Sequence, residues 1–211
     1  MASLDRADTA DAGRGIEPRE TTLYRFLRNS HIFSSAVREI FETKYLVDTC
    51  REPISLQQFH LLKLITLNGQ HQIGQIADFL GVSSPAATKN IDKLERLGFV
   101  TRVRSQVDRR ATLLMATAKA RDLVNRYEMH KLQRISPLLD EFARSEIAEM
   151  SRLLERFSVL LYAREVQEDG YCLRCAVYGE PNCPIGQLLG NCPYEKVRSR
   201  TPKMDDKEES T

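Results

Sequence analysis

Between His71 and Thr117 the chain alternates two short helical periodicities, a glycine break and a charged hairpin, an order that few folds accommodate. Ile73, Ile76, Ala77 and Leu80 recur at helical spacing, Gly81 breaks the pattern, and Val82 follows as a small apolar anchor. Ser83 or Ser84 can cap the next helix, and Pro85 falls where a missing backbone N–H costs nothing. That helix turns Ala87, Ile91, Leu94 and Leu97 to one side and Pro85, Thr88, Lys89, Asp92, Lys93 and Arg96 to the other, and Gly98 ends it by supplying a positive φ. Phe99 to Arg104 has strand composition, Ser105 to Arg110 is polar and charged, and Ala111 to Ala116 is apolar again. Helix, turn, helix and charged hairpin in that order predict a winged helix-turn-helix, so the fold class is mainly α.

Charge supports the same reading. Residues 83–110 hold seven Lys/Arg and three Asp/Glu, a local net of +4, whereas the whole chain carries only +2 from 31 basic and 29 acidic residues. The positive charge is therefore placed rather than general. A basic outer face by itself reads equally as a solvated helix; its coincidence with a helix pair and a wing points to DNA.

The 211 residues and 42% hydrophobic content suffice for one domain of good size, or a small domain with appendages. No apolar run approaches the roughly 20 residues that cross a bilayer. The opening MASLDRADTADAGRG has acids and no apolar segment, which predicts no signal peptide and a cytoplasmic protein without membrane contact.

Taken in order, residues 1–19 are small, polar and broken by Gly13, Gly15 and Pro18, and read as a disordered lead-in. Residues 20–52 form an N-terminal helical region in which Leu23, Phe26, Leu27, Phe33, Val37, Ile40 and Phe41 make an apolar stripe that needs a partner. The DNA-binding unit spans 53–117; its first helix opens at Ser55 with Gln58 in the capping-box position. His60 and His71 beside that helix read as surface or core hydrogen-bonding residues. Residues 118–168 supply two further helices, kinked or divided at Ser136-Pro137, with a second stripe of Ile147, Met150, Leu154, Phe157 and Leu161. A two-fold homodimer satisfies both stripes and presents two reading helices to a palindromic operator in double-stranded DNA. Residues 169–198 form a four-cysteine module, and 199–211 read as a disordered charged tail.

The central unit resembles the MarR family of bacterial transcriptional regulators. The resemblance is carried by Asp108-Arg109-Arg110, the strand Ala111-Thr112-Leu113-Leu114, the helix opening Thr117-Ala118-Lys119 and the preceding IGQIADFLGVSSPAATKNIDKLERLGFVTR. It covers roughly Thr22 to Gln167. It implies a triangular homodimer of interlocked terminal helices, a reading helix at 84–97 in the major groove, and Arg110 entering the minor groove with Asp108 positioning it. Many family members bind small aromatic acids or other effectors between the DNA-binding and dimerisation regions, and oxidant-sensing branches use cysteines instead. The cysteine extension is a departure from the ordinary family pattern.

By contact chemistry, Ser84, Thr88 and Lys89 near the front of the reading helix are candidates for base edges or nearby phosphates. Lys93, Arg96, Arg102 and Arg104 read as phosphate-positioning or exposed. Arg110 suits a narrow A·T-rich minor groove, and Asp108, unhelpful beside a phosphate, makes sense as its orienter.

Cys172, Cys175, Cys183 and Cys192 comprise one CxxC pair and two cysteines that each precede proline. Four thiolates can enclose zinc or an iron–sulfur cluster, and in a reducing cytosol their clustering favours ligation over disulfides. The isolated Cys-Pro pairs tilt the expectation to iron–sulfur; structural zinc, thiol–disulfide switching and unligated thiols remain alternatives. Cys50 stands apart, as a buried small residue or a redox thiol.

The sequence thus predicts a sequence-specific DNA-binding regulator, a repressor, whose operator affinity responds to the cysteine centre. The alternatives are a small-molecule-responsive regulator with a structural zinc, an architectural or anti-repressor protein, and a redox or electron-transfer protein. No nucleotide-binding glycine loop or catalytic acid/base set accompanies the cysteines, so an enzyme is not expected.

Overall fold

The computed structural model describes residues 18–68, 70–80, 82–105, 112–165 and 183–188. They fall into two units, one ending at Thr43 and one beginning at Lys44. The first holds helix α1 (Pro18–Ala36), which runs on into π-helical turns over Val37–Lys44. A π-helical turn holds more residues than an α-turn, so the stripe that 3.6-residue spacing carries through Phe33 is rotated before Ile40. Leu23, Tyr24, Phe26, Leu27, Ile32 and Phe33 of α1 are exposed.

The second unit begins with α2 (Tyr45–Thr49) and α3 (Leu56–Asn68). A full capping box starts α3: Ser55 N–H donates to Gln58 Oε1 at 3.0 Å, and Gln58 N–H donates to Ser55 Oγ at 3.2 Å. Gln58, Phe59, Leu61, Leu62, Leu64 and Ile65 are all buried, so α3 is covered on most sides and is the central rod of this unit. Also buried in this unit are Ile76 and Ala77 of α4 (Ile73–Leu80), Ala87, Ile91 and Leu94 of α5 (Ser84–Arg96), and Leu123, Val124 and Tyr127 of α6 (Ala118–Leu139). Each large apolar side chain buried there contributes roughly 1.5–3 kcal/mol.

Three antiparallel strands complete the winged unit in the order β1-β3-β2. β2 (Val100–Arg104) and β3 (Thr112–Ala116) form the expected hairpin, with Val100 opposite Ala116 and Arg104 opposite Thr112. The third strand, β1 (Gln70–Gln72), has no strand pattern of its own. It is extended because it supplies the other edge of β3, with His71 opposite Leu114 and both side chains fully buried.

α6 continues through Pro137, which has no N–H to bond to Gln133 O, and ends two residues later at Leu139. α7 (Arg144–Glu165) follows, opened by Glu146, whose carboxylate accepts from Ala143 N–H at 2.8 Å. No α7 residue is buried, and Met150, Leu153, Leu154, Phe157, Leu160 and Leu161 are exposed. A short helix, α8 (Pro184–Leu188), packs against α7 through a segment that buries Ile185. Among the described residues no helix is long and apolar enough to cross a membrane.

Candidate nucleic-acid interface

The candidate reading surface is the outer face of α5, and both ends of that helix are fixed by its own sequence. At the N-terminus Ser83 is the cap, in extended conformation, with its Oγ accepting from Ala86 N–H at 3.4 Å and Pro85 inside the first turn. At the C-terminus Gly98 takes φ 75°, Gly98 N–H donates to Glu95 O, and Phe99 N–H donates to Leu94 O, both at 2.9 Å. These are the two bonds of a Schellman ending, and the buried pair Leu94 and Phe99 supplies its apolar contact. Ala87, Ile91 and Leu94 face the core as expected, whereas Leu97, the capping residue, is only half-buried.

Ser84, Pro85, Lys89 and Arg96 are exposed on the opposite face, with Thr88 and Lys93 half-buried. The Thr88 hydroxyl donates to Ser84 O at 2.8 Å, so outwardly it presents lone pairs and a methyl group. Arg96 Nε donates to Asp92 O at 3.4 Å, which lays that side chain along its own helix. Arg104 is exposed at the far end of β2. Arg102 differs from its basic neighbours: its guanidinium bonds to both Asp92 and Glu95 of α5. Asp108 and Arg110, the expected wing-tip pair, lie outside the described residues.

Two further ties hold α5 in place, and sequence reading missed both. Gln58 Nε2 donates to Asn90 Oδ1 at 3.0 Å while Asn90 Nδ2 donates to Ala86 O at 3.1 Å, joining the start of α3 to the middle of α5. The capping-box position of Gln58 pointed to α3; nothing in the pattern pointed to Asn90. At the other end, Thr117 caps α6 and its Oγ1 donates to Gly98 O at 2.8 Å. Lys119 Nζ donates to Leu97 O at 2.9 Å, sits 4.6 Å from the Phe99 ring centre and pairs with Glu52 at 2.6 Å. Lys119 beside Glu52 holds that carboxyl below the usual range.

Cys50 is buried, with its thiol 3.5 Å from both the carbonyl and a carboxylate oxygen of Glu52. Burial pushes its pKa up, the opposite of what a reactive thiol requires. His71 is completely buried, and among the described residues neither ring nitrogen finds a partner in good hydrogen-bond geometry. Burial lowers its pKa to about 4, with only the Leu64 carbonyl acting the other way. A separate open cleft of about 450 Å³ is lined by Asp48, Thr49, Arg51, Arg126, Met129, His130 and Gln133. There His130 Nε2 lies 3.5 Å from Asp48 Oδ2 and its ring meets Tyr45 edge-on at 5.2 Å.

The expected cysteine-ligated iron–sulfur or zinc centre requires correction. Among the described residues no group of three or more His, Cys, Asp or Glu is placed to hold a metal ion. Cys183, just ahead of α8, is a free half-buried thiol. Cys172, Cys175 and Cys192 lie outside the described residues. Ligation needs side chains converging on one point, and a favourable spacing along the chain does not provide that.

Residues 54–112 match the model of the MarR family. Among solved structures, the chain is similar to the YusO protein from Bacillus subtilis, at 14% identity and a TM-score of 0.57 over 67% of this chain and 98% of that one. It is similar to RV1404 from Mycobacterium tuberculosis, at 22% identity and a TM-score of 0.54 over 67% and 92%. A MarR family protein from Bacillus stearothermophilus matches at 19% identity and a TM-score of 0.55 over 66% and 94%.

Proposed function

We propose that this chain, which carries a MarR-family winged helix-turn-helix domain, is a transcriptional regulator that binds duplex DNA as a homodimer, acting as a repressor. The observation that carries the reading is α5 itself: one face buried, both ends capped, and an outer face of Ser84, Thr88, Lys89, Lys93 and Arg96 open beside the hairpin. A helix so held enters a major groove without rearranging, because its width matches the groove. Ser84, Thr88 and Lys89 then meet base edges. Lys93, Arg96 and Arg104 set the register against phosphates, and Arg110, oriented by Asp108, reaches the minor groove. Regulators of this family bind DNA without catalysis, and no residue here is assigned a catalytic role.

The second copy covers the exposed apolar residues of α7 and spaces two α5 helices for successive major grooves. The direct experiment is selection from a random duplex pool by the full-length chain, with light scattering on the same preparation. A palindromic consensus bound by a dimer is expected; a pool that yields no enriched sequence refutes the reading. The cleft lined by Arg51, Arg126 and His130 suits an anionic organic effector. Benzoate and salicylate are expected to raise the melting temperature and weaken binding to the selected duplex, and no response to a panel of organic acids removes the effector from the proposal.

A further inference from the structure

Arg102 stands on β2 opposite Leu114, and its side chain crosses to α5. Nη1 donates to Glu95 Oε2 and Nη2 donates to Asp92 Oδ1. Asp92 and Glu95 are three positions apart, so their carboxylates emerge as neighbours on one helix surface. The planar five-donor guanidinium can hold both at once, which a lysine ammonium on a flexible stem cannot do in fixed geometry. The Arg102 side chain is 27% exposed, against 50% for Asp92 and 36% for Glu95. The arginine is thus the inner member of the cluster, and its two bonded nitrogens are already committed.

The same stretch of helix carries Lys89, Lys93 and Arg96. Two unpaired carboxylates among them would repel phosphate and cancel much of the local positive field. We propose that Arg102 is a positioning residue: it bridges Asp92 and Glu95, locking the orientation of α5 to the wing and withholding two carboxylates from DNA, and makes no phosphate contact itself. This rests on the DNA-binding reading and refines it. Ion pairs this exposed add little to folding. Their output is therefore the angle and field of the reading helix, and binding selectivity is the quantity to measure.

The test uses the full-length chain, the duplex enriched from the random pool and a scrambled duplex of equal length. Arg102→Lys keeps the charge but loses the fork. At least a tenfold loss is expected on the enriched duplex, with scrambled binding, which is mostly non-specific and electrostatic, within twofold of wild type. The double variant Asp92→Asn/Glu95→Gln removes two negative charges, which on electrostatics alone tightens binding to any DNA. Unchanged or tighter scrambled binding is expected, together with at least a fivefold drop in the ratio of enriched to scrambled affinity. Three results overturn the proposal: Arg102→Lys within twofold of wild type on the enriched duplex, equal losses by Arg102→Lys on both duplexes, or an undiminished selectivity ratio in the double variant. If Arg102→Lys does not fold, the double variant alone decides. Failure of the DNA-binding reading looks different, because wild type then enriches nothing.

Discussion

Replacing His71 by leucine should make the protein more stable at neutral pH and flatten its response to mild acid. The imidazole is fully buried between α3 and the sheet with neither nitrogen in good hydrogen-bond geometry to a described residue, and burial lowers its pKa from 6.5 to about 4 despite the Leu64 carbonyl. Between those values the unfolded chain binds a proton that the native state refuses. The stabilising contribution is therefore complete above pH 6.5 and disappears progressively as pH falls toward 4. At 1.36 kcal/mol per pKa unit the whole loss amounts to about 3 kcal/mol. Leucine has nearly the volume of histidine, binds no proton and leaves no orphaned polar atom. The expected result at pH 7.5 is a gain of about 1 kcal/mol from removing the unsatisfied group. Between pH 6.5 and 4.5 the stability of the variant should fall less steeply than that of wild type, by about 1 kcal/mol per unit. His60 is half-buried and also lowered to about 4, through burial and the nearby Lys63, so it leaves a residual slope in both proteins. Asp48 and Glu52, held low by Lys44 and Lys119, act only at more acid pH. The chain has no tryptophan, so urea unfolding followed by far-ultraviolet circular dichroism is the suitable assay. Protein concentration must be fixed, because the midpoint of the proposed dimer would shift with it. An undiminished acid slope in His71→Leu would refute the argument.

Three further outcomes follow from the geometry. Gly98→Ala places a Cβ where no atom lies within 4 Å but keeps φ at 75°, so the cost is backbone strain of about 1–2 kcal/mol, read from the urea midpoint. Asn90→Ala strips a partner from buried Gln58 and should cost about 1–3 kcal/mol; a loss below a few tenths would mean that water replaces the amide. Phe157→Glu puts a charge on the exposed apolar face of α7 and should yield monomers by light scattering with unchanged helical content; an intact dimer would move the interface elsewhere.

Local signals in the sequence were read well because they act within a few residues. The Ser55/Gln58 capping box, the α5 cap, which falls on Ser83 of the two candidates Ser83 and Ser84, and the Gly98 ending are each complete within six positions. Strand β1 was not legible because Gln-His-Gln has no alternation; its conformation is imposed by β3, more than forty residues away. Leu61, fully buried in α3, is hard to assign from sequence for a related reason. A central helix is buried on several sides, and one-sided periodicity does not describe it. Arg102 reads from sequence as phosphate-positioning or exposed because composition counts charges without pairing them, and its partners lie seven and ten residues back on another element. The cysteine spacing suggested a metal centre on chemistry alone, and the described residues form none.

The junction at Thr117 and Lys119 has a mechanical meaning. α6 has 22 residues, hence a length of about 33 Å, and its first turn is bolted to Gly98 and Leu97 at the carboxyl end of α5. A rigid rod of that length turned by about 5° at the bolt sweeps its far end through about 3 Å. Its near half is not free to pivot there, because Leu123, Val124 and Tyr127 are buried in the core with α3. α3, α5 and that half of α6 form one body, so a push at the exposed Leu132 and Leu138 would tilt the reading helix only by tilting the whole body with it.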